Sequence, residues 1–332
     1  MAEVADAAGV SVATVSNALN GTGRMSDETR RRVMAAARDL SYLPFTSARA
    51  AARGGTGMLG LTLTTYGDLP VPYIQVPYYA RLVLGATEAA HQRGYLLVVL
   101  PASVPAWMWL TTPLDGVIHT EPTRNDPVLD ILRQRGIPIV TEGRPLSPHH
   151  GDAWVDNDIG AAVRELLDHL ARSGARRIGV VLPRHDDAYP ELIRRTYHLW
   201  CEEHQQPPLV ETFQLSRDAS RAETAAARRL LRAEPDAAFG VYSSSGKRIL
   251  DAARDLQLIV PDDLLVAAIT EDPAYSDLRP PVTTVTLHPE RLAAEAVDLL
   301  LALLNDRTDV SRERLVSHEL VSRESTRPRP GP

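Results

Sequence analysis

Cysteine is almost absent from this sequence. Cys201 is the only one in 332 residues, which excludes an internal disulfide and any multi-cysteine metal site and agrees with a reducing compartment. Lysine is equally scarce, Lys247 standing alone, so nearly all positive charge is arginine. The longest apolar runs, "YLLVVLP" and "VDLLLALL", fall far short of the ~20 residues a spanning helix needs. Met1 leads into a polar, acidic start with neither a basic n-region nor an apolar h-region, so a cytoplasmic protein with no membrane partner is expected. Phosphate cradles are missing too: "GGTG" is too short for a P-loop, and no G-x-G-x-x-G follows a strand pattern. His149 and His150 are adjacent and His198 and His204 are six apart, so neither pair has the i, i+4 geometry of a helix metal site. No metal, no cofactor and no catalytic residue is assigned, and an enzyme is not expected.

What is present is enough apolar material, 44% of residues, to build a substantial core in more than one domain. The net charge of -6 is unevenly spread. Residues 1–55 hold seven arginines against five acids, an excess of two positive charges, which leaves -8 on the remainder. Only the head of the chain is suited to meet phosphate.

Within that head, "AGVSVATVSNALNG" interleaves small apolar residues with hydroxyl and amide side chains. Val4, Ala5 and Ala8 recur at helical spacing, Gly9 permits a turn, and Ser11 is placed to cap a second helix running to about Leu19. On that helix Val15, Ala18 and Leu19 face inward, while Val12, Ala13, Ser16 and Asn17 lie on the other side and at its start. Ser26 opens a third helix with Asp27 and Glu28 in its positive first turn. A helix that enters a major groove ~12 Å wide needs small side chains for close approach, hydroxyls for phosphate and an amide for a base edge. Spacing alone leaves a plain three-helix packing module open.

At this length the pattern becomes specific. "EVADAAGVSVATVSNALNG" followed by "MSDETRRRVMAAARDLSYLP" closely resembles the DNA-binding head of the LacI-type transcriptional repressors. The resemblance puts Val12, Ala13 and Asn17 at base-reading positions, and Ser11, Thr14, Ser16, Asn20, Arg24, Ser26 and Thr29 where family members hold phosphates or helix ends. Val12 and Ala13 offer only apolar contact, so hydrogen-bonded readout rests mainly on Asn17. In "LPFTSARAAARGGTG" the resemblance implies a hinge helix that forms on DNA and sits in the minor groove. Ala51 occupies the place of the family's leucine wedge, a departure that puts the usual kink in question, and Arg49 and Arg53 are left to line a narrow groove.

From Met58 onward, short apolar runs alternate with helical patterns, from "MLGLTLT" and "PYYARLVLGATEAAHQRG" to "KRILDAARDLQL" and "LLVAAIT". This is the βαβ rhythm of parallel sheets, and its repetition past the middle suggests two lobes enclosing a cleft beyond the strand ends. The expected fold is α/β: a helix-turn-helix head at 1–43, a hinge at 44–56, a two-lobed effector-binding and dimerisation domain at 57–324, and a mobile tail at 325–332. The resemblance likens the two-lobed domain to periplasmic sugar-binding proteins. It places Tyr78 and Tyr79 where an aromatic face meets the effector, Asp156 and Asn157 at a polar corner, and Thr270 where the family often carries a ligand-binding acid. Arg194 or Arg195 is a candidate anchor for an effector oxygen, each also readable as an exposed helix arginine. The apolar stripe of "PERLAAEAVDLLLALLND" serves either the core or a second subunit.

A groove-reading head, a hinge and a cleft in one chain point to a homodimeric regulator of a palindromic double-stranded operator. The resemblance implies repression and a small-molecule effector, a carbohydrate. The alternative is a solute-binding-like sensor with weak or no specific DNA binding.

Overall fold

The computed structural model describes residues 1–19, 23–40, 55–63, 76–215, 219–307 and 309–328. Three short helices form the head: α1 (Ala2–Ala8), α2 (Val12–Leu19) and α3 (Asp27–Asp39). Val4, Ala5, Ala8, Val15, Ala18, Val33 and Ala37 make its core, with Leu19 packed against them. Gly9 takes the left-handed conformation (φ 60°) that ends α1 and turns the chain toward α2.

The remaining chain builds two sheets. The first contains β1 (Met58–Leu63), β2 (Leu96–Pro101), β3 (Gly116–Thr120), β4 (Ile139–Glu142), β5 (Trp154–Asn157) and β11 (Glu313–Val316), in the order β11-β5-β4-β3-β1-β2. Its pairings are all parallel. Helices α4 (Pro77–Gln92), α5 (Ala106–Thr111), α6 (Pro127–Arg135) and α11 (Pro289–Leu304) belong to this lobe. The second sheet has β6 (Ile178–Arg184), β7 (Leu209–Gln214), β8 (Ala237–Gly240), β9 (Leu265–Ile269), β10 (Thr283–Thr286) and β12 (Glu319–Val321), in the order β12-β10-β9-β8-β6-β7. Only its β10–β12 pair is antiparallel. Helices α7 (Ile159–Arg172), α8 (Ala188–Glu203), α9 (Ala219–Arg232) and α10 (Ser245–Asp255) cover it.

The apolar runs form these strands because a parallel sheet is buried on both faces and needs near-continuous aliphatic character. The helices start where the sequence supplies caps. Asp126 accepts from the Val128 and Leu129 N–H groups at 3.0 Å, Asp158 from Ala161 at 2.9 Å and Asp187 from Tyr189 at 2.9 Å. Gly85 lets α4 and α11 approach closely, since a Cβ there would lie 2.6 Å from the Glu290 backbone.

Two expectations need correction. The lobes are not successive halves of the chain: it crosses after β5, returns between β10 and α11, and crosses again between β11 and β12. Consequently the apolar stripe of α11 (Leu292, Ala293, Ala296, Val297, Leu299 and Leu300) fills the core of the first lobe. The expected mobile tail also begins too early. Ser325 and Thr326 are fully buried; Ser325 donates to the Val266 carbonyl at 2.6 Å, and Thr326 shares hydrogen bonds with Thr283 at 2.6 Å and His169 at 2.7 Å. Small hydroxyl side chains fit a buried sheet end because each meets a backbone or side-chain partner.

Candidate functional site

The helix pair of the head leaves one side of α2 open. Ser11 accepts from the Thr14 N–H at 3.1 Å and caps the helix, while Ser26 accepts from the Thr29 N–H at 3.2 Å and caps α3. Both hydroxyl pairs, Ser11–Thr14 and Ser26–Thr29, stand 2.9 Å apart, so these residues first hold helix ends. Ser11, Val12, Ala13 and Asn17 are exposed, Thr14 and Ser16 half-buried, and Arg24 exposed beyond the turn. Val12, 45% exposed, has no structural need to be apolar where it stands. Asn17 lies over the turn: a Cβ on Gly23 would come within 3.0 Å of its Nδ2. Asn20, Arg49, Ala51 and Arg53 lie outside the described residues.

The first lobe grips the chain just after the linker. Asp115, immediately before β3, accepts from the Thr56 N–H at 2.6 Å, the Thr56 hydroxyl at 2.8 Å and the Gly57 N–H at 2.8 Å.

Between the lobes lies a cleft lined by residues of both, the place where two-lobed α/β folds bind small ligands. Its walls bring together Tyr78, Tyr79, Asp156, Asn157 and Thr270 with residues the sequence reading did not single out, chiefly Glu121, Glu142, Arg144, Asp187, Tyr189, Tyr242 and Glu271. Tyr78 donates to Glu142 Oε1 at 2.6 Å, and Tyr79 donates to Glu121. The two rings meet edge to face, 5.6 Å apart. Tyr79 is otherwise core, packed among Leu82 and Ala86, while both rings stand on the cleft wall.

Glu142 is 4% exposed. Burial, then repulsion from Glu121, raises its pKa well above the usual carboxylate range, against the opposing effect of the Tyr78 bond. Its Oε2 has no hydrogen-bond partner among the described residues. Asp156 accepts from the Arg144 N–H at 3.0 Å, yet burial outweighs this and pushes its carboxyl up to about 6. Burial likewise holds the Tyr78 and Tyr189 phenols protonated, and Tyr189 donates to the Val241 carbonyl at 2.8 Å. Burial alone would lower the His185 pKa, but the bond and charge of Asp187 raise it.

The other candidates divide. Asn157 lines the cleft but spends its amide on the backbone, donating to the Leu287 carbonyl at 2.7 Å. Thr270 lines it too, its hydroxyl accepting from the Asp272 N–H at 3.1 Å. The neighbouring acid is Glu271, which takes the Thr286 hydroxyl at 2.5 Å, the Leu287 N–H at 2.6 Å and Arg81 at 3.1 Å. Neither Arg194 nor Arg195 is on the cleft wall: Arg194 is half-buried and paired with Glu191 one turn earlier at 3.6 Å, and Arg195 is exposed. Alternation of β-strand ends and helix starts could have flagged Glu121, Glu142 and Asp187, because each follows or ends a strand at its carboxyl end, where open α/β sheets bind ligands. Among the described residues no group of three or more His, Cys, Asp or Glu side chains could hold a metal ion, and no helix is long and apolar enough to cross a membrane.

A three-helix head carrying a helix-turn-helix, set ahead of a two-lobed binding domain with an interlobe cleft, defines the class of this protein. Residues 1–44 match the model of bacterial regulatory proteins, lacI family, and residues 167–326 match the periplasmic binding protein-like domain. The chain thus carries a lacI-family regulatory head followed by a periplasmic binding protein-like domain. It is 28% identical over 334 residues to the HTH-type transcriptional regulator CelR of Thermobifida fusca, covering 97% of this chain and 96% of that protein. Among solved structures, a transcriptional regulator CelR–cellobiose complex superposes with a TM-score of 0.74 at 26% identity, over 97% of this chain and 98% of the other. The lac repressor dimer bound to operator and the anti-inducer ONPF shares the fold, with a TM-score of 0.77 at 20% identity over 98% of each chain. The named relatives are transcriptional regulators and repressors rather than enzymes.

Proposed function

We propose that this protein is a homodimeric transcriptional repressor that binds a palindromic operator and whose DNA affinity is set by a carbohydrate effector in the interlobe cleft. The observation that carries this reading is the presence in one chain of an exposed, small-residue α2 face and a cleft spanning both lobes. Val12 and Ala13 let α2 approach the groove floor and contact a thymine methyl, Asn17 reads a base edge, and Ser11, Thr14, Ser16 and Arg24 meet phosphates. The segment 44–56, with Arg49, Ala51 and Arg53, joins head to lobes and contacts the minor groove.

One head covers too little DNA for tight binding, so two copies are needed. Large exposed apolar side chains support a second copy on the first lobe: Leu84 (66%), Leu96 (49%), Trp107 (63%) and Leu110 (53%) lie on α4, β2 and α5, and among the described residues β2 is the edge strand of its sheet. The effector meets the aromatic face of Tyr78 and Tyr79 and is held by the cleft carboxylates, shifting the balance between two lobe arrangements and thereby the presentation of two heads. The solved relative holding cellobiose makes that sugar the first probe.

Selection of bound sequences from a random duplex pool tests the reading. Recovery of an inverted repeat bound ~1,000-fold or more above random DNA is expected. Recovery of no consensus would support instead a sensor without specific DNA binding.

A further inference from the structure

The cleft is built of hydrogen-bond acceptors. Glu121, Glu142, Asp156, Asp187 and Glu271 line it, against one guanidinium, that of Arg144. Arg144 is directed elsewhere: its Cζ stands 4.4 Å over the Trp154 ring and its Nη2 is 3.9 Å from Glu313. Glu271 is balanced by Arg81 at 3.1 Å and Asp187 by His185. Glu142 has no such cation. It is almost fully buried, its Oε1 takes the Tyr78 hydroxyl, and its Oε2 has no hydrogen-bond partner among the described residues. A buried acceptor left unpaired is costly, and a donor from a ligand relieves that cost.

Resting on the carbohydrate reading, we propose that the effector is a sugar without an anionic substituent, held by donating its hydroxyls to Glu142 and Asp156, and that sugar phosphates and uronates are rejected. The physical ground is the sign of the wall. A hydroxyl donated to Asp156, ionised above about pH 6, makes a charge-assisted bond, and a hydroxyl placed at Glu142 gives its bare Oε2 a partner. A phosphate at the same place puts like charges together in a site of low dielectric, and among the described residues Arg144 is the one cationic side chain on the wall. Arg194 and Arg195, which the sequence alone would offer as oxygen anchors, do not line the cleft.

Calorimetry on the full chain tests this with matched sets: glucose, glucose 6-phosphate and glucuronate, and cellobiose with its 6-phosphate, within a wider panel of neutral sugars and their phosphates. The neutral member of any set that binds is expected to be at least ~10-fold tighter than its anionic partner. At pH 7.5, replacing Glu142→Gln together with Asp156→Asn is expected to narrow that ratio at least ~threefold, because the Asp156 charge is removed while Glu121, Asp187 and Glu271 still line the cleft. Should the double variant fail to fold, Asp156→Asn alone at pH 7.5 serves, with a partial narrowing expected. A phosphate or uronate that binds as tightly as the neutral sugar overturns the inference while leaving the carbohydrate reading intact, as does a ratio untouched by Asp156→Asn. Silence toward every sugar of either charge overturns the carbohydrate reading and takes this inference with it.

Discussion

Asn157 donates its side-chain amide to the Leu287 carbonyl at 2.7 Å, and the two residues belong to different crossings between the lobes. Asn157 ends β5, where the chain leaves the first lobe, and Leu287 lies between β10 and α11, where it returns. A longer bond, 3.4 Å, reaches the Val316 carbonyl at the third crossing. A single buried side chain thus ties together every connection about which the lobes can move, in the wall of the cleft itself.

Asn157→Leu removes that tie and leaves the Leu287 carbonyl buried without its donor. A loss of about 1–3 kcal/mol in unfolding free energy is expected, together with faster amide exchange around residues 157–159, 287–289 and 316–319. Urea denaturation and hydrogen exchange measure both. An unchanged midpoint with unchanged exchange would mean the bond does not restrain the crossings.

Asp115 holds Thr56 and Gly57 by three hydrogen bonds, so it fixes the point at which the linker enters the first lobe. Asp115→Ala is expected to leave effector affinity within about twofold of the parent, since the cleft is elsewhere, and to reduce the effect of bound sugar on operator affinity several-fold. Anisotropy titrations with and without sugar decide this. Full coupling in the variant would show that the linker needs no anchor here.

Burial lifts the Asp156 carboxyl to about 6, above the ~3.9 of a free aspartate. Between these values the folded protein keeps a proton that the unfolded chain has released. The stability this group contributes is therefore complete below about pH 4 and is lost as the pH rises through 6. Asp156→Asn should remove this part of the decline, flattening stability against pH by up to ~1.4 kcal/mol per unit in that window. Thermal unfolding from pH 4 to 7 gives the comparison, and parallel curves for parent and variant would contradict the assignment.

Asn17→Ala is expected to relax preference by about 1–3 kcal/mol at one base pair per half-site while leaving non-specific affinity nearly unchanged. The measurement is binding to a panel of single-base operator variants. Equal losses on operator and random DNA would place Asn17 on the phosphates, or in the turn beside Gly23, rather than on a base.

Much of this molecule was legible from its residues. The helix ends of the head followed from Ser11, Gly9 and Ser26, whose capping chemistry acts over three or four residues. The alternation of long strands and helices was readable for the same reason: burial on both faces of a parallel sheet leaves an aliphatic run. The short strands β10, β11 and β12 carry no such run, and it is these that weave the lobes together. Where a chain crosses between lobes is set by long-range pairing, which local pattern does not encode. The cleft was legible in part. Tyr78, Tyr79, Asp156 and Thr270 meet there, whereas Arg194 does not line it and pairs with Glu191 on its own helix. Glu121, Glu142 and Asp187 went unread, since single acids at strand ends look like ordinary turn residues until the two lobes are brought face to face.

The central claim is that the cleft and the head of this chain are coupled. The most direct measurement is the affinity of the full-length protein for its selected operator, by fluorescence anisotropy at fixed salt, with and without a saturating neutral sugar found by calorimetry. The account predicts that the sugar changes operator affinity by about 5- to 150-fold, leaves binding to random DNA unaltered, and does so with a reciprocal change in sugar affinity when operator is present. Tight sugar binding that leaves operator affinity unchanged would contradict it.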